Sequence, residues 1–282
     1  MKKIIITADD YGMCQAVDTA IDECIVANLV TTTNVLVNME TMNNAKSLRA
    51  RFSHISIGIH WNLTTGKPLL GACEIPSLID QNGNFFPARE FKRRIKNGKI
   101  NRTHLIAELR AQYKAFYDLC GKPDYWNTHE NLALCPKAFD VFNGLAKEYG
   151  IPATRNFQRV YIDIKSVPPK RRMKEFLHRM AVDIWFGMLV KKKYVMPDGR
   201  LFPFKIASKH ETNKLISALK SSRCKSIEII VHPAITTDHK FFGNLSKDRL
   251  NEYAFFSNNE LCKVFEENGL ILTNFAGIAT KE

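Results

Sequence analysis

Four short apolar runs in this chain end in titratable side chains. Ile4–Ile6 leads through Thr7 and Ala8 to Asp9 and Asp10, followed by Gly12. Ile55, Ile57 and Ile59 share one strand face, with Ser56, Gly58 and His60 on the other. Tyr125–Thr128 runs into His129, and Ile227–Val231 into His232. Alternation of this kind marks a strand, and a continuous short apolar run marks a strand buried on both faces. Helical spacing separates the runs. Val17, Ile21, Cys24 and Ile25 predict a helix over about 14–28, and further helices are expected over about 41–52, 102–120, 136–149 and 258–268. Thr31–Val37 reads as another strand and Ile271–Thr273 as the last. The region 61–90, punctuated by Gly66, Pro68, Gly71, Pro76, Gly83 and Pro87, reads as loop.

Strands alternating with helices predict an α/β fold with a parallel sheet, either a barrel or a doubly wound sheet. Both architectures carry their chemistry at strand C-termini, where Asp9, Asp10, His60, His129 and His232 fall. No G-x-G-x-x-G or P-loop pattern occurs, which argues against dinucleotide and P-loop chemistry. The stretch 155–210 is basic, aromatic and marked by Pro168, Pro169, Pro197 and Pro203. It reads as a lid-like insertion within one domain spanning 1–282.

Adjacent residues at a strand end point in different directions, so one of Asp9 and Asp10 can hold a metal while the other acts as a base. Turn formation and helix capping are the structural alternative for the pair. His60 or His129 alone is an ordinary structural histidine. Together, a carboxylate and two histidines from three strand ends suit a divalent ion with open positions.

Forty-one Lys and Arg against 28 Asp and Glu give a formal charge of +13, which favours anionic partners. The basic clusters Phe91–Arg102, Lys170–Lys174 and Lys191–Lys193 lack the interleaved aromatics of a single-strand surface, and no nucleic-acid module is present. They read as solvated surface, and no nucleic-acid partner is expected. The seven cysteines are scattered without a C-x-x-C, as expected of reduced thiols. With no signal peptide and no transmembrane run, a cytoplasmic location is expected. Ala181–Lys193, apolar with a lysine end, reads as a buried helix with a solvated end, and docking at a membrane surface is the alternative.

The motifs also carry a resemblance. A-D-D-Y-G followed by T-T-x-N-V-L-V-N-M resembles the opening of the YdjC/ChbG-like carbohydrate deacetylases. G-I-H-W-N-L-T-T-G-K-P-L resembles their G-x-H-x-x-L-T-x-G-x-P, N-T-H-E-N their D-S-H-x-H, and E-I-I-V-H-P their E-x-x-x-H-P-G. The four occur in family order between residues 7 and 233. The resemblance implies a (β/α) barrel, TIM-like but irregular, that removes N-acetyl groups from sugars such as chitooligosaccharides using one divalent ion, zinc or magnesium. It implies Asp10, His60 and His129 as metal ligands, Asp9 as general base acting on a metal-activated water, and His232 as general acid. Asn62, Thr64 and Arg155 are implied at the substrate. Such a substrate is an N-acetylated sugar, with anionic and lipid-linked forms both open, and a homodimer is the default assembly.

Four positions depart from the family pattern: Asn127, Asn131, Ala133 and Ala234. None removes a ligand, but Asn127 cannot supply the charge that strengthens a ligand histidine. The competing readings are a phosphoesterase, which needs more ligands than are found, and a catalytically degenerate binder of an anionic glycan, lipid or nucleic acid.

Overall fold

A computed structural model describes residues 1–160, 194–202, 209–242 and 246–279, together with positions 170, 173, 177 and 180. Its strands are β1 (Lys2–Tyr11), β2 (Thr32–Val35), β3 (Ser56–Trp61), β4 (Tyr125–Thr128), β5 (Ala153–Thr154), β6 (Gly199–Leu201), β7 (Ser226–Val231) and β8 (Leu270–Leu272). All pair in parallel, in the order β5-β4-β3-β2-β1-β7-β6, and β8 pairs with the first residues of β1. The two ends of this sheet meet. Parallel bridges join Ala153 to Val195 and Arg159 to Arg200, and the Arg200 N–H donates to the Gln158 carbonyl at 2.7 Å. The sheet is therefore curled into a barrel. Its irregularity lies at β1, which pairs with β8 through Lys2–Ile4 and with β2 only from Thr7 onward.

Between the strands run α1 (Gln15–Val26), α2 (Leu48–Arg51), α3 (Ala88–Lys96), α4 (Arg102–Cys120), α5 (Pro136–Glu148), α6 (Lys209–Ser221), α7 (Ser246–Phe256), α8 (Glu260–Glu267) and α9 (Phe275–Ala279). The helix expected over 41–52 is a 3-10 segment, Met42–Ser47, running into the single turn of α2. The stretch expected to be an insertion has both described ends in the barrel wall, at Ala153–Val160 and Tyr194–Leu201. The part between them, including Ala181–Lys193, lies outside the described residues except for the four positions above. Among the described residues no helix is long and apolar enough to cross a membrane.

The continuous apolar runs are explained by two faces of burial. Ile4, Ile6, Ile57, Ile59, Trp126, Ile227 and Ile229 point outward into the main core beneath the helices. Ile5, Tyr125 and Ala153 point inward and pack with Phe275 of α9, which closes the interior; the Phe275 and Tyr125 rings stack at 4.2 Å. A buried aromatic of this size contributes roughly 1.5–3 kcal/mol. Gly58 belongs to the inner face. A Cβ there would lie 2.5 Å from the Tyr125 ring, so only glycine lets β3 pass that side chain. Above the plug the inner face becomes polar.

Candidate active site at the barrel mouth

β1 carries the first two site residues on an irregularity. Three steps from Ala8 to Tyr11 oppose two steps from Thr33 to Val35 on β2, a one-residue bulge, and Asp10 takes φ 77°. A left-handed non-glycine residue costs about 1–3 kcal/mol and is kept only where its surroundings hold it. Asn34 of β2 does so. Its Oδ1 accepts the Asp10 backbone N–H at 3.2 Å, and its Nδ2 donates to Asp9 Oδ1 at 2.5 Å. The bulge takes the adjacent acids out of strict alternation, so both reach the mouth but face different partners.

Asp10 faces β3 and β4. Its Oδ1 lies 3.4 Å from His60 Nε2 and 3.1 Å from His129 Nδ1, and the two ring nitrogens are 3.3 Å apart. Oδ1 is buried and has no hydrogen-bond partner among the described residues. The other oxygen, Oδ2, accepts from Arg249 Nη2 at 2.6 Å. Burial would raise the Asp10 pKa, but His129 and Arg249 outweigh it and hold the carboxyl well below the usual range. His60 Nδ1 lies 2.5 Å from Asn127 Oδ1. Because that oxygen only accepts, Nδ1 carries the proton and Nε2 offers a lone pair toward Asp10 and His129. The three atoms thus form a convergent donor set able to hold a cation.

Asp9 faces β5 and β7. Arg155 Nη1 and Nη2 donate to its two oxygens at 2.9 and 2.7 Å, while Arg155 Nε donates to Glu228 Oε1 at 3.0 Å. All three side chains are buried. Burial would raise the Asp9 pKa, but Arg155 overrides it and keeps the carboxylate ionised far below the usual range. His232 Nε2 stands 3.8 Å from Asp9 Oδ2. The backbone N–H of His232 donates to Glu252 Oε2 at 2.5 Å. Burial pushes His232 down to about 4 and Glu252 up to about 8, so the imidazole is neutral at rest.

The loop after His129 turns through two left-handed residues, Glu130 at φ 52° and Asn131 at φ 54°. Arg200 Nη1 donates to Asn131 Oδ1 at 2.6 Å, and Lys92 of α3 donates to the Glu130 carbonyl at 3.3 Å. Asn131 is thereby turned to Arg200. Asn62 is buried and spent on its own loop: Oδ1 accepts from the Thr64 and Thr65 N–H groups, and Nδ2 donates to the Thr65 carbonyl and Asn38. The Thr64 hydroxyl is buried and has no hydrogen-bond partner among the described residues.

The profile of the YdjC-like protein family matches residues 3–267. The chain belongs to the YdjC-like family. Among relatives, a carbohydrate deacetylase of Clostridium beijerinckii is 26% identical over 98% of this chain and 100% of its own length. A carbohydrate deacetylase of Danio rerio is 30% identical over 154 residues, 54% of this chain and about half, 49%, of that protein. A crystal structure from Enterococcus faecalis V583, provisionally named a cellobiose-phosphate cleavage protein, superposes with a TM-score of 0.74 at 27% identity over 98% of both chains.

In this YdjC-like chain, the structure brings together Asp9, Asp10, His60, His129, Arg155 and His232, all singled out from sequence. It adds Asn34, Glu228, Arg200, Arg249 and Glu252. A signal for Asn34 was present: an amide inside the β-branched run T-T-T-N-V is out of place in a strand without a polar partner. Arg249 and Glu252 had almost none. Their helix buries Arg249, Glu252 and Phe256, so its inward face reads as charged and hydropathy does not reveal it.

Proposed function

We propose that this protein is a metal-dependent carbohydrate deacetylase that hydrolyses the acetamide of an N-acetylated sugar. The observation that carries the reading is the juxtaposition of a convergent Asp10–His60–His129 donor set, whose Asp10 Oδ1 has no hydrogen-bond partner, with the Asp9–His232 pair on the adjoining wall. The names of the full-length relatives support the same chemistry. A divalent ion held by Asp10, His60 and His129 supplies positive charge that polarises an amide carbonyl and makes water more acidic. Two imidazole nitrogens beside one carboxylate oxygen are a donor set that suits zinc better than magnesium, which prefers oxygen ligands.

The chain's own residues handle the protons. Asp9 is ionised and accepts a proton from the water that adds to the carbonyl carbon. His232 is neutral before the reaction, so the proton it delivers must arrive during turnover, and Asp9 Oδ2 at 3.8 Å is the group placed to pass it. His232 then protonates the nitrogen as the carbon–nitrogen bond breaks, giving acetate and a free amine. Arg155 and Asn34 fix the direction of Asp9. Asn62 shapes the loop, and the unpartnered Thr64 hydroxyl is the group in that loop available to a sugar. An anionic sugar is favoured by Arg200, which is buried, has no carboxylate partner among the described residues and leaves its Nε without a hydrogen bond.

The test is acetate release from a panel of N-acetylated sugars, neutral and anionic, with zinc-loaded, chelated and Asp9→Asn protein. Metal-dependent release lost in Asp9→Asn supports the reading. Zinc binding without release from any sugar points to a different substrate or hydrolysis, and absence of zinc binding moves the glycan-binder reading to the front.

A further inference from the structure

Arg249 is held in a way that an ordinary buried ion pair does not require. It lies on α7 and is 2% exposed, yet among the described residues its guanidinium makes a single side-chain hydrogen bond, from Nη2 to Asp10 Oδ2 at 2.6 Å. Its Nε and Nη1 have no hydrogen-bond partner among the described residues. A guanidinium left free to choose takes both oxygens of a carboxylate in a fork, as Arg155 does with Asp9. Arg249 instead takes one oxygen and leaves the other facing His60 and His129. Its place is set from several sides. Its carbonyl accepts the Ala234 N–H at 3.2 Å, and its guanidinium lies over the Phe242 ring at 4.8 Å. Glu252, one turn along the same helix face, receives the His232 N–H. The helix is thus fastened to the loop after β7 at two points.

We infer that Arg249 is a positioning residue for the metal site: it occupies Oδ2 of Asp10, so that Oδ1 alone is presented beside His60 Nε2 and His129 Nδ1. The inference rests on Asp10 being a metal ligand, as proposed above, and not on the identity of the sugar. It differs in sign from simple charge neutralisation. If Arg249 only competed with a cation for Asp10, its removal would tighten metal binding. If it positions Asp10, removal lets the carboxylate rotate and weakens binding.

The experiment is zinc titration by competition with a chromophoric chelator, together with the visible spectrum of the cobalt(II) form, for wild type, Arg249→Met and Arg249→Lys. Circular dichroism verifies folding. We expect Arg249→Met to bind zinc about 10–100-fold more weakly, the usual effect of losing a group that orients a ligand, with an altered cobalt spectrum. Arg249→Lys, which keeps the charge but not the planar fork, should fall between the two. Equal or tighter zinc binding by Arg249→Met, with an unchanged spectrum, overturns the inference and leaves the deacetylase reading intact. If Arg249→Met does not fold, Arg249→Lys decides: binding as tight as wild type overturns the inference. If wild type itself binds no zinc, the metal site and the inference fall together.

Discussion

Asp9 and Asp10 are neighbours in the chain and both are buried, but they finish in different surroundings. Asp9 has both oxygens committed, to Arg155 and Asn34, and its ring neighbour His232 stands off at 3.8 Å. Asp10 has one oxygen committed to Arg249 and one with no hydrogen bond between two imidazoles. The first arrangement suits a carboxylate that must stay ionised and accept a proton in a fixed direction. The second suits a carboxylate that must give a lone pair to a cation. Identical residue types, one peptide bond apart, acquire separate surroundings because a bulge turns them to different walls of the barrel and a different arginine meets each.

The metal side is the more sensitive of the two. His60→Ala removes a donor whose tautomer is already set by Asn127, so we expect loss of both zinc binding and acetate release, read by metal analysis and product assay. On the proton side, Asp9→Asn should keep zinc while lowering turnover by about 10²–10⁴, the usual share of one acid–base group. Retained activity would remove Asp9 from its role. Arg155→Met strips the counter-charge from Asp9 and Glu228 in a dry interior, and leaving a buried charge unpaired costs about 3–5 kcal/mol. Chemical denaturation measures that loss. Asn127→Asp sharpens the contrast instead. A charged acceptor on His60 Nδ1 makes Nε2 a better donor, and zinc affinity should tighten by about tenfold, toward the lower end of effects of this kind.

Stability with pH separates His232 from Glu252. Burial raises the Glu252 carboxyl from 4.5 to about 8, so the folded state keeps a proton that the unfolded chain has lost. Stability contributed there is present below pH 4.5 and declines as pH rises through about 8. Burial lowers His232 from 6.5 to about 4, so the unfolded chain takes up a proton first. Stability contributed there is present above pH 6.5 and declines as pH falls through about 4. Glu252→Gln removes only the alkaline decline, so its melting temperature relative to wild type should be higher at pH 8 than at pH 5.

Much of this was legible in the chain. The strand-then-acid and strand-then-histidine pattern located five of the mouth residues, because a strand end is a place in the fold as well as in the sequence. The continuous run Ile4–Ile6 indicated burial on both faces, which the outer core and the Phe275 plug explain. β5 and β6 were missed. They contribute two and three residues, too few for a period, and their pairing is with strands remote in sequence. α7 was missed because its buried face is ionic. Asn62, expected at the substrate, is used by its own loop, a fact settled by backbone groups three residues away and invisible in the side-chain pattern.

The sequence by itself determined the alternating architecture, the family, and which side chains have the chemistry for metal binding and proton transfer. Those properties follow from local periodicity and from residue type. The folded barrel adds which wall each aspartate faces, that Asn34 holds both, and that Arg155 from mid-chain and Arg249 from near the C-terminus each take one of them. Hydrogen bonds and charge in a buried site depend on angstrom distances between residues up to 239 positions apart, and no pattern within a single strand or helix encodes them.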